Sequence, residues 1–208
     1  PFAAQYTGTA TTTDAPTLAE LKAINNATTG SVTIHADHRN GALTGSAEDL
    51  AAAFTGITNY TGALTTNAVH TLAQLKTINN ATSGTVTIGS DHLGEALSGT
   101  AADLAAALDG ITNYTGAITV TGANYTAAEL QTISNATSGT ITLNNTDGYG
   151  VALSGASDVL ADALGGSFAS AFTGTATTTD APTLAELKAI NNGTSGAVTI
   201  HADHRGGA

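Results

Sequence analysis

The chain has 208 residues, 16 Asp and Glu against 5 Lys and Arg, a formal net charge of -11, and no Cys, Met or Trp. So acidic a chain with five cations repels phosphate backbones, which excludes a nucleic-acid partner. Absence of Cys excludes disulfide scaffolds and thiolate metal sites, and no apolar run approaches the ~18 residues of a membrane span. Low charge (10%) with abundant Ala, Leu, Ile and Val argues for a folded chain, although 41 Ala and 39 Thr imply a core of many small contacts.

In chain order, the first predicted element is a Thr-rich strand after Gly8, GTATTT (8–13). A helix follows. Thr17 with Glu20 three residues on reads as a capping box, Pro16 lies just before the cap, and Leu18, Leu21 and Ile24 form an apolar stripe. Asn25-Asn26 and Gly30 are expected to end it. SVTI (31–34) is a second strand, followed by the polar loop HADHRNG (35–41) and a helix beginning near Ser46, with Leu50, Ala53 and Phe54 facing inward. The pattern then recurs. TLAELKAINNATTGSVTI (17–34) returns at 71–88, 126–143 and 183–200, and ALTGSAEDLAAAFTGI (42–57) returns at 96–111 and 152–166. Two further starts, Thr71 with Gln74 and Thr126 with Glu129, repeat the capping box, as does Thr183 with Glu186 after Pro182. A longer period is superimposed: residues 1–42 and 167–208 agree at 34 of 42 positions, an offset of 166.

Strand, helix, strand, helix at alternating 22- and 32-residue steps predicts parallel strands joined by helical crossovers. Right-handed crossovers between neighbours place all helices on one side of the sheet. The expected fold is thus a right-handed α/β solenoid on the plan of leucine-rich repeats, with one parallel sheet, although the leucine-rich signature itself is missing. An all-β solenoid with short helical corners is the alternative. The expected organisation is a single array, 1–208, of two-coil units: 8–61, 62–115, 116–173 and a partial unit at 174–208. The longer third unit carries the irregular stretch SFASAF (167–172).

Counting from the Gly or its equivalent before each strand, the third position is always Thr: Thr11, Thr33, Thr65, Thr87, Thr119, Thr142, Thr177 and Thr199. Alternation predicts that these face away from the helices as a ladder stepping about 4.8 Å per strand. A regular Thr array resembles the ice-binding faces of β-solenoid antifreeze proteins, yet Thr is also an ordinary residue for a solvated strand face. Ala63, Ala117, Ala197 and His35 interrupt the flanking rows.

The loops after the second strands hold the densest polar chemistry. His35, Asp37 and His38 recur as Asp91 and His92, as Asp147, and as His201, Asp203 and His204. Such side chains are competent ligands for zinc or, through carboxylates, calcium. Asp in a Gly-containing loop more commonly builds a turn, and the spacing matches neither a zincin helix nor an EF-hand. The expectation is no cofactor or, at most, calcium. Eight N-x-T acceptors arise largely by copying of the repeat, and Asn26, Asn80, Asn135 and Asn192 are expected to satisfy backbone groups at the helix ends. No nucleophile elbow, phosphate loop or dinucleotide fingerprint is present, so no enzyme is expected.

The block T-L-A-(E/Q)-L-K-(A/T)-I-N-N-A-T-(T/S)-G-x-(V/I)-T-I, followed by A-L-(S/T)-G-(S/T)-A-x-D-L-A-A-A, resembles repeats of very large secreted or cell-surface proteins of marine cyanobacteria and related bacteria. The resemblance implies extracellular display in long arrays. Together these features lead to the expectation of a structural fibre, sheath or surface-layer protein that self-associates head to tail or belongs to a longer chain. The alternative is an adhesin that uses the Thr face or the Asp/His loops to grip glycan, ice or a cation.

Overall fold

The computed structural model describes residues 5–144 and 148–204. It is an α/β protein of small parallel sheets, and the chain separates into two compact units, Pro1–Leu93 and Gly94–Ala208.

In the first unit the order is β1 (Ala10–Thr12), α1 (Leu18–Ala27), β2 (Val32–Ile34), β3 (Leu43–Gly45), α2 (Ala47–Phe54), β4 (Leu64–Thr66), α3 (Leu72–Ala81) and β5 (Val86–Ile88). β1 pairs with β2, and β3, β4 and β5 form a second sheet in that order. The second unit runs β6 (Leu97–Gly99), α4 (Ala101–Leu108), β7 (Ile118–Thr121), α5 (Ala127–Ala136), β8 (Ile141–Asn144), β9 (Leu153–Gly155), α6 (Ser157–Leu164), β10 (Ala176–Thr178), α7 (Leu184–Gly193) and β11 (Val198–Ile200). Its sheets are β6-β7-β8 and β9-β10-β11. All pairs are parallel.

Two expectations need correction here. The strands do not form one sheet. They fall into four, and β3, β6 and β9 are strands beyond the eight that the sequence pattern predicts. β3 and β6 each divide an expected 32-residue step into an 11-residue and a 21-residue one, and β9 divides the step from β8 to β10 into 12 and 23 residues. The short step explains the break. A parallel neighbour needs a crossover of about a dozen residues or more. Residues 35–42 between β2 and β3 are too few, and they hold a 3-10 turn, Ala36–His38, instead of a helix. Residues 145–152 between β8 and β9 are equally few.

The helices form where the caps predicted them. All four capping boxes are present: the Thr17 amide donates to Glu20 Oε2 (2.9 Å) and the Glu20 amide to Thr17 Oγ1 (3.3 Å), with the same reciprocal pairs at Thr71, Thr126 and Thr183. Ser46 and Thr100 cap α2 and α4, accepting from the amides of Asp49 and Asp103. The N-cap of α6 is Ala156, which offers no side-chain cap, and the Ser157 amide donates to Asp180 instead (2.9 Å).

Each core lies between the strands and the helix stripes. Leu21, Ile34, Leu50, Phe54, Leu64, Leu75 and Ile78 are buried in the first unit, and Leu104, Leu108, Ile118, Leu130, Ile141, Leu160 and Ile190 in the second. Within the units, α1 packs on α2, α2 on α3, and α4, α5, α6 and α7 pack in succession. Second and fourth strand positions point into these cores while the third does not, so the third-position face of each sheet is uncovered. Among the described residues no helix is long and apolar enough to cross a membrane.

Candidate functional site

The most regular chemical feature is the open strand face. None of the eight third-position Thr residues is buried. Parallel pairing sets them side by side in register: Thr11 with Thr33, Thr65 with Thr87, Thr119 with Thr142, and Thr177 with Thr199. The unforeseen strands lengthen these rows. Thr44 aligns with Thr65, Ser98 with Thr119 and Ser154 with Thr177. Every three-stranded sheet therefore carries three adjacent hydroxyls, at the roughly 4.8 Å spacing of paired strands. Because the sheets are separate, the hydroxyls form four short rows and not one ladder. Each row can donate and accept hydrogen bonds toward water or a repetitive polar ligand.

The rows are held straight by close backbone stacking one residue before the outward-facing series. A Cβ on Gly62 would lie 2.0 Å from the Gly41 carbonyl oxygen, and one on Gly84 2.5 Å from that of Gly62. A recurrent Thr locks the same corner. Thr28 Oγ1 donates to the Tyr6 and Gly8 carbonyls (2.8 and 2.9 Å) and accepts from the Gly30 amide (2.9 Å). Thr82, Thr137 and Thr194 repeat the bonds to the carbonyls of Gly62, Gly116 and Gly174 (2.7, 2.8 and 2.7 Å). These four Thr are the last residues of the N-A-T and N-G-T acceptors, so that motif has a structural cause. They also stand at the C-caps in extended conformation, where Asn and Gly were expected to end the helix.

The aromatic residues bridge neighbouring coils. Tyr60 donates to the Gly41 carbonyl, Tyr114 to Glu95 (2.5 Å) and Tyr125 to Gly148. Burial raises the pKa of all three phenols above the usual tyrosine value, that of Tyr125 to about 12. Phe54 and Tyr60 pack ring against ring, centroids 4.9 Å apart.

The His/Asp loops are short 3-10 turns at Ala36–His38, Ser90–His92 and Ala202–His204. Asp147 lies outside the described residues. In the first turn the Asp37 amide donates to His35 Nδ1 (3.4 Å), with Asp37 Oδ2 3.6 Å from the same nitrogen. The His35 and His38 rings are 6.0 Å apart, and Asp37 is 81% exposed. The last turn repeats this, with His201 Nδ1 3.5 Å from Asp203 Oδ2 and His201 6.1 Å from His204. Asp91 instead accepts from Ser90 (3.3 Å). Among the described residues no group of three His, Asp or Glu side chains converges on a common point that could hold a metal ion. Arg39 turns back to donate from Nε to the Ile34 carbonyl (2.8 Å), tying the first turn to β2.

Sequence reasoning also missed the polar seam between successive helices. Lys22 pairs with Asp49, and Asn25 Nδ2 donates to the carbonyls of Ala52 and Thr55 (2.8 and 3.1 Å). The pair holds the Asp49 carboxyl below, and the Lys22 ammonium above, their ordinary values. Asn25, and not Asn26, thus satisfies the backbone at the helix end, while Asn26 is exposed. In the second unit Gln131 bonds Asp162 (3.0 Å) and Ser134 the Ala163 carbonyl (3.0 Å) from equivalent positions. The usable signal was the i, i+3/i+4 series 18, 22, 25, a second helical stripe beside the apolar one.

No protein-family model, curated protein or solved structure matches the chain.

Proposed function

We propose that the chain is a structural repeat protein, an element of an extracellular fibre, sheath or surface layer. In this reading each unit follows a right-handed α/β solenoid plan, interrupted where the short polar turns start a new sheet. The observation that carries it is the recurrence of one coil-to-coil contact: glycine-on-carbonyl stacking, a locking Thr and a polar helix seam repeat in both units. A coil built this way buries its faces only against neighbouring coils, so stability comes from lengthening the array. The small hydroxyl side chains of the open face keep such an array hydrated along its length.

Negative-stain electron microscopy and light scattering of the purified chain test this reading. Linear assemblies that grow with concentration are the expected result. A monodisperse monomer over the whole concentration range overturns it.

The hydroxyl rows support a second reading, an adhesin or ice-binding module using the open face. Substituting Thr65, Thr87 and Thr119 with Lys then abolishes saturable glycan binding or inhibition of ice recrystallisation. Identical behaviour of wild type and variant in both assays removes it.

A further inference from the structure

Asn is followed by Gly twice in the chain, at Asn40-Gly41 and Asn192-Gly193. An asparagine before glycine can react with its own backbone, because the glycine nitrogen meets no side chain as it swings toward the neighbouring carboxamide. The two pairs stand in opposite settings. Gly193 is the last residue of α7, so its amide belongs to the helical ladder. Leu164 also crowds it: a Cβ on Gly193 would lie 2.5 Å from Leu164 Cβ. Asn40 and Gly41 are both exposed, in the turn between β2 and β3, outside any helix or strand. Among the described residues the Asn40 side chain has no hydrogen-bond partner. The other copies of this turn carry Gly94-Glu95, Gly150-Val151 and Gly206-Gly207 at the same place, so the first copy alone holds a carboxamide there.

We infer that Asn40 is a self-modification site, which deamidates through a cyclic imide formed with Gly41 and thereby loosens the coil stacked on this turn. In the first step the Gly41 backbone nitrogen attacks Asn40 Cγ. The Cγ–Nδ2 bond breaks, and Nδ2 leaves as ammonia with the Gly41 amide proton. Water then opens the imide. Attack at Cγ leaves aspartate in a normal chain. Attack at the main-chain carbonyl carbon leaves isoaspartate, whose backbone runs through Cβ and Cγ and is longer by a methylene. That methylene falls between two anchored carbonyls. The Arg39 carbonyl accepts from the Thr61 and Gly62 amides (2.8 Å each) and from Thr61 Oγ1 (3.2 Å). The Gly41 carbonyl accepts from the Tyr60 hydroxyl, and Gly62 stacks on it so closely that a Cβ would lie 2.0 Å from the oxygen. Residues 60–62 are thus held from both sides of Asn40. A longer chain between the two carbonyls cannot keep both in place, and backbone stacked on backbone offers no flexible side chain to absorb the change.

The test ages the full chain in mildly alkaline buffer at body temperature. Peptide mass spectrometry, with fragmentation that separates isoaspartate from aspartate, locates each amide that has become a carboxyl. Urea denaturation compares aged with fresh protein. The expected result is conversion at Asn40 at least about ten-fold faster than at Asn192, a barrier difference of about 1.4 kcal/mol. The isoaspartate form has an unfolding constant at least about five-fold larger than fresh protein, the weight of one lost hydrogen bond. A Cβ on Gly41 would meet only the Tyr60 hydroxyl, at 3.5 Å, so Gly41→Ala keeps the fold. It slows conversion at Asn40 about ten-fold or more. Freshly prepared Asn40→Asp carries the new charge on a chain of normal length and unfolds as the fresh wild type does. Asn192 converting as fast as Asn40, Gly41→Ala converting as fast as wild type, an isoaspartate form as stable as fresh protein, or Asn40→Asp as unstable as the aged chain each overturns the inference.

Discussion

The two copies of the first coil, residues 5–34 and 171–200, have nearly the same sequence and bury opposite sides. In the first copy Leu21 and Ile34 are fully buried, Lys22 is paired, and Tyr6 is 59% exposed. In the second, the equivalents of the buried pair, Leu187 and Ile200, are only half-buried. Phe172, which replaces Tyr6, is 1% exposed, and Ala176 is fully buried where Ala10 is partly open. On the second copy Asp180 and Glu186 accept from the Ser157 amide and hydroxyl of α6 (2.9 and 3.1 Å). Contacts inside the coil pair are the same in both. The lesson is that local sequence builds the coil, and the neighbouring coil decides which face of it becomes core.

Substitution at facing positions should break the symmetry most. Leu21→Ala should cost about 2–5 kcal/mol and Phe172→Ala about 3–5 kcal/mol in urea denaturation, as for other fully buried side chains. Leu187→Ala and Tyr6→Ala should each cost under about 1 kcal/mol. Equal losses for a position and its copy would mean that the coil and not its neighbour sets the burial.

Substitution inside the coil pair should instead act equally. A Cβ on Gly30 would meet the Gly8 carbonyl oxygen at 2.1 Å, and one on Gly196 the Gly174 oxygen at 2.2 Å. Alanine at either should cost about 3 kcal/mol, since backbone and not a flexible side chain must move. Thr28→Val and Thr194→Val should each cost about 1–3 kcal/mol by stranding the amide and carbonyls those hydroxyls satisfy. A smaller, matched pair of effects is expected at the helix starts: Thr17→Ala and Thr183→Ala should each lower stability by about 1 kcal/mol.

The smallest effect is in acid. Bonds from Thr17 and Thr183 hold Glu20 and Glu186 below the ordinary carboxyl value in both copies, and Lys22, then Ser46, does so for Asp49 in the first copy alone. Because these folded-state values are depressed, their contribution is complete above the unfolded carboxyl range, about pH 4, and fades as pH falls through the lower folded values. Lys22→Met should therefore flatten the stability–pH curve below about pH 4, and Lys188→Met should leave it unchanged. Indistinguishable acid titrations of the two variants would show that the Lys22–Asp49 pair contributes nothing.

Much of the candidate site was legible in the chain. Third-position Thr fell on the open face because alternation in a strand is strict once its neighbours are Val, Ile or Leu. Thr44, Ser98 and Ser154 escaped because their strands are three residues long and end in Gly, which carries almost no strand signal. The His and Asp residues were visible as ligand types, but their distances depended on a 3-10 turn that directs them outward. The role of Thr28 and its copies was hidden inside an apparent glycosylation motif.

By itself the sequence determined the repeat, the helices and their capping boxes, and the alternation of the strands. All of these depend on residues within a few positions of one another. Only the tertiary structure decided where sheets end, which glycines stack on carbonyls and which face of an identical helix is buried. Those outcomes depend on how many residues separate two strands and on what the next coil presents, which no short window of sequence contains.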